Sequence, residues 1–122
     1  MGMAIETRLS EQLARYLDLA SDEAKVTAAN MANIDTPGYQ AEGFDFTAEM
    51  QKAMGEVDQA AGAPPVRVQP EDGLIARPDG NDVSMDREGL NLSEAQLKFK
   101  TGVALLRIEY QQVMDAIQSG AK

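Results

Sequence analysis

Residues 28–41 read AANMANIDTPGYQA, and this stretch divides the chain into a helical part before it and a different kind of chain after it. Asn30 and Asn33 stand three apart, on one face of the last turns of a helix, where their amides can donate and accept toward backbone groups that a helix end leaves open. Asn also tolerates the left-handed conformation that often ends a helix. Asp35 and Thr36 can bond their own following backbone, and Pro37-Gly38 fits the two central positions of a type II turn. Tyr39 then leads the chain away in extended form.

Upstream, from Ile5 to Ile34, apolar and small residues recur at gaps of three and four through Leu9, Leu13, Tyr16, Ala20, Ala24, Thr27 and Met31, which predicts one long amphipathic helix. Arg8, Glu11, Arg15, Asp18, Asp22 and Lys25 occupy the opposite face, mixed in sign as a solvated face is. At the other end of the chain, Leu92, Gln96, Phe99, Val103, Leu106, Tyr110, Val113 and Ile117 alternate four and three apart and predict a heptad seam. Ser84 is the expected N-cap of that helix, with Asp86 and Glu88 in its first turn complementing the dipole. Gly89 and Gly102 each cost about 1 kcal/mol relative to Ala inside a helix, and a close helix approach is one reason to keep a glycine there.

The middle of the chain changes character. Pro64, Pro65, Pro70 and Pro78, with Gly55, Gly62, Gly73 and Gly80, rule out a continuous helix. Val66-Arg67-Val68 and Leu74-Ile75-Ala76 flank the turn-rich QPEDG and are expected to pair as a small hairpin. Phe46 to Met54 is expected to form a short helix.

The 122 residues suffice for one small domain, and 11 Lys plus Arg against 20 Asp plus Glu give a formal charge of −9, which argues against nucleic acid or anionic lipid as partners. With no Cys, His or Trp, disulfides, thiol nucleophiles, imidazole catalysis and Cys/His zinc sites are excluded. The start, MGMAIETRLSEQ, has acids where a secretory signal needs apolar residues, and no apolar run reaches membrane-spanning length. A helix of about 30 residues measures about 45 Å, whereas a compact domain of this length has a radius of gyration of about 14 Å. Two such helices therefore predict an elongated molecule whose seams are completed by other chains.

ANMAN followed at once by IDTPGY resembles the N-terminal signature of the bacterial flagellar basal-body rod protein family, in which an Asn-x-x-Asn helix end runs into Thr-Pro-Gly-Tyr. Asn30, Ala32, Asn33, Thr36, Pro37, Gly38 and Tyr39 match it position by position, with Met31 where Ile or Leu is more usual. The short middle leaves no room for the inserted β domains of the hook and distal-rod members. RPDGNDVSMDREGLNLSEAQLKF and ALLRIEYQQVMDAI are similar to the closing part of a small proximal-rod member. The resemblance implies a structural protein without catalytic role, cofactor or metal, exported uncleaved by the flagellar type III export apparatus. It implies a place in the proximal rod of the basal body, in the periplasmic space after synthesis in the cytoplasm. The implied partners are other flagellar rod subunits, the rod adaptor FliE and the MS-ring protein, with no nucleic acid and no small-molecule substrate.

Asp79-Gly80-Asn81-Asp82-Val83-Ser84 begins like a calcium loop but puts Val83 at a ligand position and Ser84 where an EF-hand needs Gly, so a capped turn is expected. Asn91-Leu92-Ser93 has the form of a glycosylation acceptor and is expected to be helix surface. Phe46 and Met50 have the permissive spacing of an export-gate recognition element, and equally that of a buried helix face. Gln96 is either a buried register-setting residue or a rim residue. Paired carboxylates for a glycosidase-like site would need a pocket, which two helices and a ribbon do not evidently offer.

The expectation is thus a mainly α fold, with two long terminal helices in an antiparallel coiled-coil-like pair. Residues 1–36 form the N-terminal helix, 37–82 a variable Pro/Gly-rich linker, and 83–122 the C-terminal helix. Asn30, Asn33, Thr36, Pro37, Gly38 and Tyr39 form the assembly motif. Leu9, Leu13, Tyr16, Leu92, Phe99, Val103, Leu106, Tyr110, Val113 and Ile117 form the helix seams. The alternative function is a cytoplasmic coiled-coil adaptor or export chaperone presenting the same seams to a partner helix.

Overall fold

The computed structural model describes residues 8–55 and 65–120; Ile5, Gly62 and Pro64 lie outside them. Three helices dominate, α1 (Arg8–Ala32), α2 (Phe46–Gly55) and α3 (Met85–Gly120), with a two-stranded antiparallel sheet of β1 (Glu42–Gly43) and β2 (Gln69–Pro70). α1 and α3 have 25 and 36 residues, or about 37 and 54 Å at the α-helical rise.

Contacts between α1 and α3 run in opposite chain directions: Asn30 meets Glu88, Glu23 meets Lys98, and Leu17 meets Gly102. The buried positions of α3 fall one residue before the expected row of Gln96, Val103 and Tyr110. The buried residues of α3 are Glu88, Ala95, Gly102 and Glu109, each seven apart. They alternate with Leu92, Phe99, Leu106 and Val113, of which Leu92, Leu106 and Val113 are half-buried. In the other expected row, Val103 is half-buried, whereas Tyr110 is 44% and Ile117 41% exposed, as is Phe99 at 45%, and Gln96 is exposed at a rim. Size is the physical reason. A Cβ added to Gly102 would stand 2.7 Å from Leu17 Cδ2 and 3.0 Å from Tyr16 Cδ1, so at the middle of the pair α3 turns Ala95 and Gly102 inward and comes closer to α1 there than large side chains would allow. Gly89, by contrast, has open space about it.

On α1, Leu13, Ala20 and Thr27 are buried and Tyr16 half-buried, as their spacing predicts, but Leu9 is 51% exposed and its place is taken by Ser10. Leu19, outside the expected stripe, is fully buried. α2 also packs on α1, which widens the covered arc beyond a single stripe. Phe46, the first residue of α2, sets its ring edge-on to Tyr16 with centroids 5.4 Å apart, and the Lys98 ammonium lies 4.0 Å above the Phe46 ring.

α2 covers the expected short helix. Its start is fixed by Asp45, whose carboxylate accepts the Ala48 N–H at 3.0 Å. The expected hairpin of 66–68 with 74–76 does not form. Instead the chain after Tyr39 supplies the partner strand: Glu42 pairs with Pro70 and Gly43 with Gln69, and the Glu71 N–H donates to Ala41 O at 2.9 Å. Pro70 has no N–H to give, which a two-stranded edge tolerates. α3 starts as expected, with the Arg87 N–H donating to Ser84 Oγ at 3.3 Å.

Candidate functional site

The residues after α1 fold back as a type II turn. Tyr39 N–H closes it on Thr36 O at 3.2 Å, and Gly38 adopts φ +76°, a conformation that suits glycine. Pro37 and Gly38 are exposed at its tip. Asn33 stays local: its Nδ2 donates to Ala29 O at 2.8 Å, and its Oδ1 accepts from Thr36 Oγ1 at 3.0 Å.

Asn30 does the opposite. It is fully buried and uses all four of its hydrogen-bonding positions. Nδ2 donates to Glu42 O at 2.8 Å and to Glu88 Oε1 at 3.1 Å, while Oδ1 accepts from Tyr39 OH at 3.1 Å and from Glu42 N–H at 3.0 Å. One amide thus ties together α1, the chain leaving the turn, and the first turn of α3. Burial raises the Tyr39 pKa above its ordinary value, and the negative charges of Glu42 and Glu88 add to the effect.

The loop before α3 completes the knot from the other side, through a residue that sequence reasoning missed. Asn81, also fully buried, shares the two N–H groups of Nδ2 among Asn33 O at 2.8 Å, Ile34 O at 2.9 Å and Thr36 O at 2.8 Å, and its Oδ1 accepts the Val83 N–H at 2.8 Å. It collects the carbonyls that the end of α1 leaves open. Arg77 assists, donating to Ile34 O and to Val83 O. Gly38 N–H donates to Asp79 O at 2.8 Å, Asp82 N–H to Tyr39 O at 3.2 Å, and Ala41 N–H to the Asp82 carboxylate at 2.6 Å. The calcium-like DGND run is therefore a cap for α1, with the Asp82 carboxylate engaged by backbone. A DGN turn announces itself in the sequence, but nothing in it points 45 residues back to Thr36.

Beside the knot lies a half-open groove of about 280 Å³, lined among others by Thr27, Glu42, Phe44, Glu71, Asn91 and Lys98, where the sequence suggested no evident pocket. Among the described residues, no group of three or more His, Cys, Asp or Glu could hold a metal ion, and no helix is long and apolar enough to cross a membrane. Phe46 and Met50, the candidate export element, are both half-buried on α2.

Residues 17–40, which contain the whole turn and the helix end feeding it, match the family model described as flagella basal body rod protein. Flagellar basal body rod protein FlgB of Yersinia ruckeri is 34% identical over 122 residues, covering 85% of this chain and 89% of its own. The chain belongs to the flagellar basal body rod protein family. FlgB of Salmonella typhimurium is 34% identical, with 85% of this chain and 88% of the relative covered, and FlgB of Cereibacter sphaeroides is 32% identical, with 86% and 90% covered. The shared span far exceeds the turn motif, so the relatedness extends over the middle segment and the terminal helices together. These relatives are named as rod proteins, a structural and not an enzymatic family.

Proposed function

We propose that this chain is a structural subunit of the bacterial flagellar proximal rod, built into the basal body for motility. The observation that carries this reading is the near full-length relatedness to rod proteins named FlgB. The unfinished packing of α3 supports it: Leu90 is 61%, Leu97 66% and Ile108 55% exposed, off the seam that faces α1. In the assembled rod these side chains are buried against neighbouring subunits, in coiled-coil-like seams that no single chain completes. The chain reaches the rod uncleaved through the flagellar type III export apparatus and meets other rod subunits, the adaptor FliE and the MS-ring protein.

Within this reading the Asn30 knot fixes the angle at which the chain leaves α1, and the exposed Thr36-Pro37-Gly38 tip and Asn33 are the parts of the motif free to meet a neighbour. Deletion of the gene, followed by electron microscopy of detergent-extracted basal bodies, tests it. Rings without rods are expected; complete rods on the rings would sink the reading and bring forward a cytoplasmic adaptor.

A further inference from the structure

Beneath the knot Glu71 is held by Asn91 and Arg87, the residues that flank Glu88 on α3, and each of the two glutamates keeps one buried oxygen without a hydrogen-bond donor. Glu88 is fully buried. Its Oε1 accepts from Asn30 Nδ2, but its Oε2, equally inaccessible to solvent, has no hydrogen-bond partner. Glu71, on the chain leaving β2, lies across Gly43, where a Cβ would stand 2.9 Å from its Oε1. Its Oε1 accepts from Asn91 Nδ2 at 3.4 Å, while its Oε2 is buried and likewise lacks a hydrogen-bond donor, having only the Arg87 Nε charge at 3.7 Å.

The charges around the pair do not compensate two negative groups. From α3 comes Arg87, which is partly exposed and also donates to Asp72 O at 3.2 Å. From the loop before α3 comes Asp82, from β1 Glu42, and from the turn the phenol of Tyr39; α1 contributes the neutral amide of Asn30. Among the described residues, one cation, Arg87, thus acts on two carboxyls and further acids. A buried ion without a donor is strongly disfavoured, whereas a proton placed on either acid turns an orphaned acceptor into a donor and leaves one charge for Arg87 to balance.

We propose that Glu71 and Glu88 share one proton in the folded chain, and that the clasp between the end of α1 and the start of α3 is held by that proton. Burial, the largest influence, raises the pKa of each above the ordinary glutamate value, and for Glu71 the charge of Glu88 adds to it. As a coupled pair they titrate in steps that belong to both. The folded chain binds this proton more tightly than the unfolded chain does. Stability is therefore lost as pH rises from the ordinary glutamate range through the raised value of the pair. Rising pH loosens the clasp across that range; mild acidity tightens it.

The test is a carbon-13 titration of the side-chain carboxyl signals of the full chain, with the same chain unfolded in urea as reference, paired with urea unfolding at a series of pH values. Expected is a Glu71 or Glu88 signal titrating at higher pH in the native chain than in urea. Unfolding midpoints should fall with rising pH, and Glu88→Gln, which supplies a permanent donor, should flatten that fall while Glu88→Ala lowers the midpoint at every pH. Native Glu71 and Glu88 signals that both titrate with the unfolded chain overturn the proposal, as does a Glu88→Gln chain with the wild-type pH dependence. If Glu88→Gln does not fold, the wild-type titration decides alone.

Discussion

Asn30 and Asn33 form one motif in the sequence, yet the structure gives them different work. Asn30 is enclosed, and replacing it by Ala strands the Tyr39 hydroxyl, both backbone groups of Glu42 and one oxygen of Glu88. A buried polar group left without a partner costs about 1–3 kcal/mol, so Asn30→Ala should lower the free energy of unfolding by at least about 2 kcal/mol, read from urea midpoints. The Asn33 side chain bonds locally, to Ala29 and Thr36, at the surface. Asn33→Ala should change stability by less than about 1 kcal/mol and, if the motif meets a neighbouring subunit, reduce motility and rod yield out of proportion to that change. Equal stability losses in the two variants would contradict the division. The turn itself was legible because its chemistry is local: Pro37 and Gly38 specify their own backbone. Asn81 was not, because its three acceptors lie in another part of the chain, and an Asn in a DGN turn looks the same whether its amide faces water or a helix end.

At the level of elements, the two glycines of α3 should respond in opposite ways. Gly89 has open space around it, so Gly89→Ala should raise stability by about 1 kcal/mol, the helix-propensity difference. Gly102→Ala gains the same propensity but drives a methyl into Leu17 and Tyr16; overpacking of this kind costs about 1–3 kcal/mol, and a net loss is expected. Thermal unfolding of the two variants, side by side, checks the sign. Both terminal helices could be found from periodicity, and α2 from its short apolar pattern. Which row of α3 faces α1 could not, because apolar periodicity ranks Phe99 and Tyr110 above Ala95 and Gly102, while the packing of two backbones favours the small residues. The expected hairpin failed for a related reason. Proximity in sequence favoured 66–68 with 74–76, and the strand that pairs is the one the type II turn delivers at Glu42.

For the molecule as a whole, the large apolar side chains left on the outer surface of α3 separate folding from assembly. Leu97 and Ile108 are 66% and 55% exposed. Exposed substitutions away from special features usually change stability by no more than about 0.5 kcal/mol, so Leu97→Ser with Ile108→Ser should leave the helical signal and unfolding midpoint of the isolated chain nearly unchanged. In cells the same variant should be non-motile, with rods absent from purified basal bodies. Normal rods from that variant would remove α3's outer face from the assembly.

The capping of α1 by Asn81 also sets an order of events. A chain that emerges amino-terminus first, from a ribosome or from a narrow conduit, delivers Asn33, Ile34 and Thr36 long before the amide that receives their carbonyls. Until about two-thirds of the chain is out, the first helix has no finished end. Its last turn stays in exchange with water, and the exit angle of the chain stays unset. Release of the final third then closes the end of α1 and, through Ser84, opens α3 within the same few residues. The loop is a late-arriving keystone: both long helices acquire their limits at once, after delivery and not during it.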